Sequence, residues 1–399
     1  MDIFKKFLIG NKKVKKIGIY ALHPIQYQAP IFRALNRFDD VDVTVLYGDN
    51  LGMSNDVQQE FGQALVWDVP ILDGYRSIFL KNYSRDKFSG FFKRVNLMAP
   101  IKIFKSNYDV LLIHGHDNVT SFILLVLGKL LSKKVFYRGE SFNITQNRSF
   151  KVRLKKSILK TILQKCDVIF YSCSGNQEYF KSLGIDDGRL RFLPCSVDNE
   201  FFQNKKKELL GSEHDVRSSL GINKEDIVIL FSARMVERKR PMELLMAVSS
   251  DARLKKTVTC LFVGDGPLLD ELKTFSDSMG VKSRFVGFIN QSEISIYYLL
   301  ADIFYIWSSY DASPKALNEA QIFGLPVVAS ESIGTVYDLV IRPNAGIVAA
   351  SFEEMVDGIK RLVFDKNLRQ YLGGNGSSVV ADWSSSDSAR NLKRTLEGI

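Results

Sequence analysis

The sequence predicts an α/β fold made of two doubly wound parallel-sheet domains that face each other across a cleft. Apolar segments of strand length alternate with segments of helix length, as in a parallel sheet covered on both faces. The alternation stops at a polar stretch, residues 202–225, and then starts again. The chain of 399 residues is also long enough for two domains of about 200 residues each.

The predicted strands fall into two sets. The first set begins at residues 16–22, which are followed by a segment with helical spacing. Its other members are residues 41–47, 108–116, 133–141, 166–174 and 190–198. The second set consists of residues 226–234, 257–266, 283–289, 301–309 and 325–330. We therefore expect one domain in residues 1–205, a second in residues 206–385, and a polar linker in residues 202–225.

Composition excludes several classes of protein. Hydrophobic residues make up 46% of the chain, yet no apolar stretch reaches the roughly 18 residues that a membrane span needs. The basic start of the chain has too short an apolar run for a signal peptide. The four cysteines have no C-x-x-C spacing and are predicted to be reduced core thiols of a cytoplasmic protein. The four histidines form no metal-binding pattern, so we expect no metal site.

The positive charge is concentrated in the N-terminal half. Residues 1–200 carry 30 basic and 19 acidic side chains, whereas the formal charge of residues 201–399 is −1. This asymmetry indicates an anionic partner. No nucleic-acid-binding motif accompanies it, so an anionic membrane face or a phosphorylated acceptor is a better expectation than nucleic acid. Ordinary solvated basic faces would give the same composition.

Two segments of this half interleave apolar and basic residues. Residues 149–165 and residues 89–105 have the composition of a helix that lies on anionic lipid headgroups. The same pattern is typical of a helix that covers a parallel sheet and keeps one face in water. A peripheral position on the cytoplasmic membrane face is therefore one of two open interpretations.

The stretch SSYDASPKALNEA combines a loop, a helix start and two carboxylates. It follows a predicted strand, and Ser313 with Pro314 is a helix-start signal in which the serine oxygen caps the free amides. Those amides favour an anion such as phosphate, and Lys315 adds a positive charge in the same turn. We expect Asp311 beside the sugar of a bound diphosphate and Glu319 beside the nucleoside hydroxyls.

A second group of residues supports the same site. In FSARMVERKRP, Arg234 and Lys239 follow a predicted strand, and two cations there can neutralise a diphosphate leaving group. The turn VGDGP is ordinary turn chemistry when taken alone. The chain has no G-x-x-x-x-G-K-[ST] and no G-x-G-x-x-G after its first strand, which argues against classical ATPases and dinucleotide enzymes.

These residues resemble the family-4 retaining glycosyltransferases, which have the GT-B fold of two Rossmann-like domains. SARMVERKRP is similar to the family's diphosphate-binding segment, DASPKALNEA occupies the place of its Glu-x7-Glu motif, and LIHGHDN is similar to the segment that presents a histidine, here His116. The sequence departs from the family where Asp311 replaces the first glutamate and where ALHPIQYQAP replaces a glycine-rich loop. The resemblance also implies that a last helix, about residues 386–399, returns to the first domain.

The resemblance implies a hexosyltransferase that uses a UDP or GDP sugar and a glycan or lipid-linked acceptor, with retention of configuration and without a metal or cofactor. Cell-surface polysaccharide or envelope glycan assembly is the implied setting. The implied catalytic residues are His116, Asp311, Arg234 and Lys239. The implied donor-binding residues are Arg234, Lys239, Phe288, Ser313, Lys315, Ala316, Leu317 and Glu319. In these roles the cations stabilise the departing diphosphate and Glu319 holds the ribose.

The acceptor site and two rival functions stay open. The candidate acceptor-binding residues are His23, Gln26, Tyr27, Arg138 and Glu140. A local hydrogen bond or ion pair explains each of them as well. A GT-B sugar-nucleotide epimerase would bind the same donor but need no acceptor. A nucleotide-sugar-binding protein without turnover would also keep the site, with Asp311 as the sign of lost activity.

Overall fold

The computed structural model describes residues 14–53, 57–58, 63–64, 66–87, 89–142 and 150–398. These residues form two parallel sheets, of seven and six strands, each with apolar clusters on both faces. The predicted fold class is therefore confirmed.

The first sheet belongs to the N-terminal domain. Its strands are β1 (Lys15–Ala21), β2 (Val41–Tyr47), β5 (Arg76–Phe79), β6 (Val110–His114), β7 (Lys134–Arg138), β8 (Val168–Tyr171) and β9 (Leu190–Phe192). In space they are ordered β5-β2-β1-β6-β7-β8-β9. A separate antiparallel pair consists of β3 (Val57–Gln58) and β4 (Gln63–Ala64). Because the chain winds outward in opposite directions from β1 and β6, their carboxyl ends open a crevice.

Helices cover both faces of this sheet. Within the described residues they are α1 (Ala29–Asn36), α2 (Met98–Phe104), α3 (Val119–Leu130), α4 (Phe150–Leu163) and α5 (Ser174–Ser182), with a 3-10 turn at Asp187–Arg189. The α1 helix lies on one face, whereas α2, α3, α4 and α5 contribute to the core on the other face.

The second sheet belongs to the C-terminal domain. Its strands are β10 (Ile227–Ser232), β11 (Val258–Val263), β12 (Ser283–Phe285), β13 (Ile303–Ile306), β14 (Val327–Ser330) and β15 (Gly346–Ala349), in the spatial order β12-β11-β10-β13-β14-β15. Its helices are α6 (Asn199–Leu209), α7 (Glu213–Ser219), α8 (Met242–Ser249), α9 (Ala252–Thr257), α10 (Leu269–Met279), α11 (Ser295–Leu299), α12 (Lys315–Ile322), α13 (Phe352–Phe364) and α14 (Lys366–Ala381). A 3-10 turn (Glu237–Lys239) and a π-helical turn (Tyr337–Ile341) complete it.

Residues 202–225, which the sequence predicts to be a linker, are mostly helical. They contain most of α6 and all of α7, and Phe202 is fully buried in the core of the second domain. The side-chain amide of Asn199 donates to the carbonyl of Val380 at 2.8 Å, which fastens the start of α6 to the same domain. The polar composition of the stretch reflects the exposed faces of two surface helices. The predicted boundary at residue 205 falls inside α6.

The end of the chain returns to the first domain. The last helix, α15 (Ser385–Glu397), packs against α1 and buries Ala389, Leu392 and Leu396 in the core of the N-terminal domain. All four cysteines are buried and unbridged. Within the described ranges, none of the helices combines the length and the apolarity that crossing a membrane requires.

Candidate active site

The candidate site lies at the carboxyl ends of β10 and β13, where the connections of the second sheet diverge. Arg234 follows β10 and Asp311 follows β13. A hydrogen bond from the amide of Ser309 to the carbonyl of Arg238, at 2.9 Å, joins the two loops. Doubly wound sheets bind their ligands in this crevice.

Gly264 brings a third loop against the first one. Its φ is +129°, and a Cβ there would collide with the carbonyl oxygen of Ala233. The next residue, Asp265, accepts a hydrogen bond from the amide of Met235 at 2.9 Å. The Gly-Asp-Gly-Pro turn, which is ordinary when taken alone, thus forms a wall of the crevice because only glycine allows this close approach.

A cavity of about 250 Å³ lies between the two domains. The lining residues that the sequence analysis singled out are Arg234, Phe288, Ala316 and Glu319 from the donor set and Gln26 and Tyr27 from the acceptor set. Trp67 and Gln291 also line it, one from each domain. Gln26 and Tyr27, which the sequence predicts on the acceptor side, thus share a cavity with residues predicted for the donor, and Tyr27 also lines the second cavity described below.

Glu319 is the most buried carboxylate of this cavity. It is 3% exposed, accepts a hydrogen bond from the hydroxyl of Tyr298 at 2.7 Å, and shares the cavity with the side chain of Tyr27. Burial raises the pKa of Glu319 to about 6, although the two hydroxyls and Lys315 act in the opposite direction. Glu319 is thus ionised at neutral pH and protonated in mild acid.

The start of α12 differs from the prediction. The helix begins at Lys315, Pro314 stands at its N-cap, and that position makes no side-chain capping hydrogen bond. The predicted serine cap is wrong, because the amide of Ser313 itself donates to the carboxylate of Asp311 at 3.3 Å. Without a side-chain cap, the first free amides of the helix can donate hydrogen bonds to an anion. Leu317 is buried in the core, and its amide donates to the carbonyl of Pro314.

Asp311 and Lys239, which are 72 residues apart in sequence, meet beside this helix start as an ion pair. Their side chains are only 13% and 14% exposed. The amide of Gly334 donates to the carbonyl of Asp311 at 2.8 Å and holds its backbone in place. Arg238, a further cation of the loop that contains Lys239, lies 3.9 Å from the same carboxylate. Asp311 therefore lies next to concentrated positive charge.

A larger cavity of about 520 Å³ adjoins the first and is lined mainly by the N-terminal domain. Its lining includes the predicted residues His23, Tyr27, His116, Arg138, Glu140 and Lys315. His116 Nδ1 lies 2.6 Å from the hydroxyl of Tyr137. Burial, followed by the positive charge of Lys155, lowers the pKa of His116, so its imidazole is neutral at pH 7. Burial, followed by Arg94, also lowers the pKa of His23, to about 4.

Lys315 reaches from the second domain into this larger cavity. Its ammonium group contacts the thiol of Cys195 and lies 3.7 Å from the carboxylate of Glu140. Burial alone would raise the pKa of Glu140, but Lys315 and Arg138 outweigh it and lower this pKa to about 2. The ammonium group of Lys315, which the sequence predicts to add charge at the helix start, therefore lies against residues of the N-terminal domain.

Several residues of the site carry no clear sequence signal. Trp67 and Gln291 line the cavity, and Tyr298 donates a hydrogen bond to Glu319, only through tertiary packing. Cys195 resembles an ordinary core thiol in the sequence. His114 does have a sequence signal, since it ends the strand β6 two residues before His116. Its Nδ1 lies 3.1 Å from the side-chain amide nitrogen of Gln28. Within the described residues, no three His, Cys, Asp or Glu side chains gather as a metal site.

Sequence comparisons identify relatives for much of the chain. The model of the glycosyl transferases group 1 family matches residues 212–379. A GDP-mannose-dependent alpha-(1-6)-phosphatidylinositol monomannoside mannosyltransferase of Mycobacterium tuberculosis is 26% identical over 255 residues, which are 61% of this chain and 65% of that protein, just under two thirds of its length. A UDP-Gal:alpha-D-GlcNAc-diphosphoundecaprenol alpha-1,3-galactosyltransferase of Escherichia coli is 24% identical over 276 residues, or 64% of this chain and 69% of that one.

Solved structures resemble the whole chain. Anabaena HepE, in complex with UDP-glucose, has a TM-score of 0.70 at 14% identity over 96% of this chain and 100% of its own. Sucrose-phosphate synthase from Thermosynechococcus elongatus has a TM-score of 0.72 at 17% identity, over 96% and 98%. At these identities the likeness establishes the fold. The fold is that of the GT-B glycosyltransferases, and the match to the glycosyl transferases group 1 model covers residues 212–379 of the second domain.

Proposed function

We propose that this chain is a hexosyltransferase that moves a sugar from a UDP or GDP donor to a glycan or lipid-linked acceptor of the cell envelope. The observation that carries the proposal is the buried carboxylate of Glu319 in one interdomain cavity with Arg234. A carboxylate there suits the vicinal hydroxyls of a ribose, and a guanidinium suits a diphosphate. The donors named for the two curated relatives, GDP-mannose and UDP-Gal, support this donor class.

The leaving group is the diphosphate, and its charge grows as the glycosidic bond breaks. Arg234 lines the cavity, and the adjoining loop and helix start add Lys239, paired with Asp311, and the uncapped amides of α12 (Lys315–Ile322) as further sources of positive charge. In a cleft shielded from water, such fixed charges stabilise the transition state more than they stabilise the donor. We propose that these groups make a divalent metal unnecessary. Comparison of transfer with and without EDTA tests this proposal.

The sugar then lies between the two cavities, both of which Tyr27 lines. In the proposed step, the bond from the anomeric carbon to the phosphate oxygen breaks and a bond to an acceptor hydroxyl oxygen forms. The acceptor proton passes to the departing phosphate oxygen. Asp311 orients the sugar hydroxyls, and neutral His116 hydrogen-bonds to the sugar from the opposite domain. The acceptor approaches from the side of His23, Arg138 and Glu140, on the face that the diphosphate leaves, so that configuration is retained.

Turnover with a mixed acceptor tests this function. UDP-glucose, UDP-galactose and GDP-mannose are incubated with a bacterial lipid and glycan extract, and the anomeric configuration of the product is determined by NMR. We expect transfer with retention, lost in His116→Ala and kept in His214→Ala, which changes an exposed histidine. Isomerised donor in the absence of acceptor would identify an epimerase. Donor binding without turnover in the wild type would identify a sensor.

We further propose that the N-terminal domain docks on an anionic lipid surface through one exposed face, here named the α2–α3 face. Its large apolar side chains are 39% to 73% exposed and are Phe91, Phe92, Leu97, Met98, Ile101, Phe104, Ile123, Val126 and Leu130. A contiguous apolar face of this kind marks an interaction site.

The basic residues near this face indicate that its partner is anionic. Residues 87–108 and residues 118–134 contain no acidic residue, and their exposed basic side chains are lysines such as Lys102 and Lys105, since Arg94 is buried. Such a combination of apolar and basic side chains fits an anionic bilayer. The other predicted segment is less suited, since the described part of α4 buries Leu159 and Leu163 and exposes chiefly Leu154 and Ile158.

Flotation with phosphatidylglycerol vesicles at low salt tests the docking. We expect the wild type to float and the double variant Phe92→Ser, Phe104→Ser to remain at the bottom. The control variant Leu210→Ser changes an exposed leucine of the other domain and should float as the wild type does. Absence of flotation by the wild type would remove the membrane proposal and leave the transferase proposal intact.

A further inference from the structure

The loop after β1 (Lys15–Ala21) brings two side chains of the N-terminal domain into the cavity of Glu319. Gln26 and Tyr27 line this cavity opposite Arg234. Gln26 is 7% exposed, and within the described residues its carbonyl oxygen Oε1 has no hydrogen-bond partner. Buried polar atoms are nearly always partnered, so this atom calls for a ligand, a water or a role in positioning a neighbour.

Gln26 and Tyr27 lie beside the candidate ribose carboxylate. Gln26, Tyr27 and Glu319 line the same cavity, and the Tyr27 hydroxyl lowers the pKa of Glu319. The hydroxyl of Tyr298 donates a hydrogen bond to Glu319 at 2.7 Å. The ammonium group of Lys315 lies 5.9 Å from the centre of the Tyr27 ring. Glu319 is thus approached by one tyrosine hydroxyl from each domain.

The two tyrosine hydroxyls do not use up the acceptor capacity of this carboxylate. Its two oxygens offer about four acceptor positions, so two tyrosine hydroxyls leave room for the 2′ and 3′ hydroxyls of a ribose. The cavity of about 250 Å³ exists with Tyr27 in place, so the ring forms a wall of the cavity and does not fill it. Tyr27 can therefore remain beside Glu319 while a nucleoside is bound.

A second contact closes the two domains around the same cavity. The side-chain amide of Asn290 donates to the carbonyl of Val66 at 2.8 Å, and the carboxylate of Asp68 accepts from the amide of Ser292 at 3.2 Å. Trp67, between Val66 and Asp68, lines the cavity. The N-terminal domain therefore contributes to the nucleoside end from two separate loops.

We propose that Tyr27 is a ligand-contacting residue of the ribose site and that Gln26 positions it, so that the donor nucleoside is bound by both domains. This inference rests on the proposed function, since it assumes a nucleotide donor. It differs from the role expected for these residues from the sequence, which is acceptor binding. It also makes nucleotide binding depend on closure of the cleft, because Tyr27 and Glu319 belong to different domains.

Binding of UDP and GDP to the full-length Tyr27→Phe variant, measured by calorimetry, tests the inference. Loss of one hydrogen bond to a charged group should weaken binding on the order of tenfold. Gln26→Ala leaves Tyr27 in place but removes the side chain proposed to position it, and it should weaken binding by a smaller factor. Tyr371→Phe removes a hydroxyl from a 59% exposed tyrosine of the second domain and should bind as the wild type does.

The pH dependence separates this role from a merely structural one. The groups that face Glu319 are Tyr27, Tyr298 and Lys315, with Arg234 in the same cavity. Removing the Tyr27 hydroxyl removes a donor that lowers the pKa of Glu319. The loss of nucleotide binding in acid should therefore begin at a higher pH in Tyr27→Phe than in the wild type.

Each outcome decides between the alternatives. Wild-type affinity and an unchanged pH profile in Tyr27→Phe would overturn the inference while leaving the proposed function intact. Tighter binding by Tyr27→Phe would also overturn it, because Tyr27 would then be a plug that leaves when ribose enters. Failure of the wild type to bind either nucleotide would overturn both proposals.

Discussion

The ammonium group of Lys315, in the C-terminal domain, lies 3.7 Å from the carboxylate of Glu140, in the N-terminal domain. A second link across the cleft joins Asp338 to the first residue of the helix at Ser174–Ser182, where the backbone amide and the hydroxyl of Ser174 donate at 2.8 Å and 2.6 Å. The cleft is therefore closed by polar contacts between the same two domains that would share a donor and an acceptor.

Replacement of Lys315 by methionine should lower the free energy of unfolding by about 1 kcal/mol at pH 7, a modest figure because Glu140 is 39% exposed and partly screened. The folded-state pKa of Glu140 is about 2, below its unfolded value of about 4.3. The stabilisation is therefore full above about pH 4.3 and is lost as the pH falls towards 2. Urea titrations across this range measure it.

The exposed pair of Lys205 and Glu208, at 3.0 Å, provides the control for this change. Lys205→Met should leave the free energy of unfolding unchanged at every pH. A difference between the wild type and Lys315→Met that stays constant down to pH 2 would show that the contact is not electrostatic.

Replacement of Glu319 by glutamine should stabilise the protein and weaken nucleotide binding. Burial raises the folded-state pKa of Glu319 to about 6. Protonated Glu319 therefore costs no stability below the unfolded pKa, whereas the ionised form lowers the free energy of unfolding as the pH rises through 6. Glutamine does not ionise, so the variant should be more stable than the wild type by about 2 kcal/mol at pH 8, with the gap closing below about pH 4. Thermal unfolding at both pH values checks this. A variant that is less stable at pH 8 would contradict the cause assigned to the pKa.

Phe202→Ala tests whether the helix Asn199–Leu209 belongs to the second domain. Phe202 is fully buried there, so its truncation should cost about 3–5 kcal/mol of unfolding free energy. Its neighbour Phe201 is only partly buried and is the matched control, for which we expect a clearly smaller loss. Equal, small losses in urea titrations of the two variants would be expected of a linker.

Gly264→Ala should strain the wall of the donor cavity. The left-handed φ of +129° and the collision with Ala233 predict a loss of about 1–3 kcal/mol in unfolding free energy, together with weaker nucleotide binding. Gly374, within a helix and with no atoms within 4 Å of an added Cβ, is the control. Gly374→Ala should gain about 0.5–1 kcal/mol and leave binding unchanged. Similar effects of the two substitutions would contradict the close approach.

Much of the fold could be predicted from local patterns. The strand at Val41–Tyr47 coincides with its predicted bounds, because VDVTVLY is rich in β-branched residues that favour a strand. The sequence analysis does not predict the strands Arg76–Phe79 and Gly346–Ala349, since each is an edge strand of only four residues. The helices after residue 198 were taken for a linker because their exposed faces are polar.

The site was less predictable, for a physical reason. Loops at strand ends identify Arg234, Asp311 and Glu319 as neighbours, but closure of the two domains decides which side chains meet. The partnership of Tyr27 with Glu319 and that of Lys315 with Glu140 join residues more than 170 positions apart. No local spacing encodes such contacts.

Calorimetric titration of UDP and GDP in EDTA is the most direct test of the central claim, a metal-independent nucleotide-sugar site. The wild type should bind one of them with micromolar affinity, and Lys239→Ala should bind it at least about tenfold more weakly, a difference of about 1.4 kcal/mol. Lys205→Ala, which changes a surface lysine, should bind like the wild type. Failure to bind either nucleotide, or binding that requires an added divalent cation, would contradict the account.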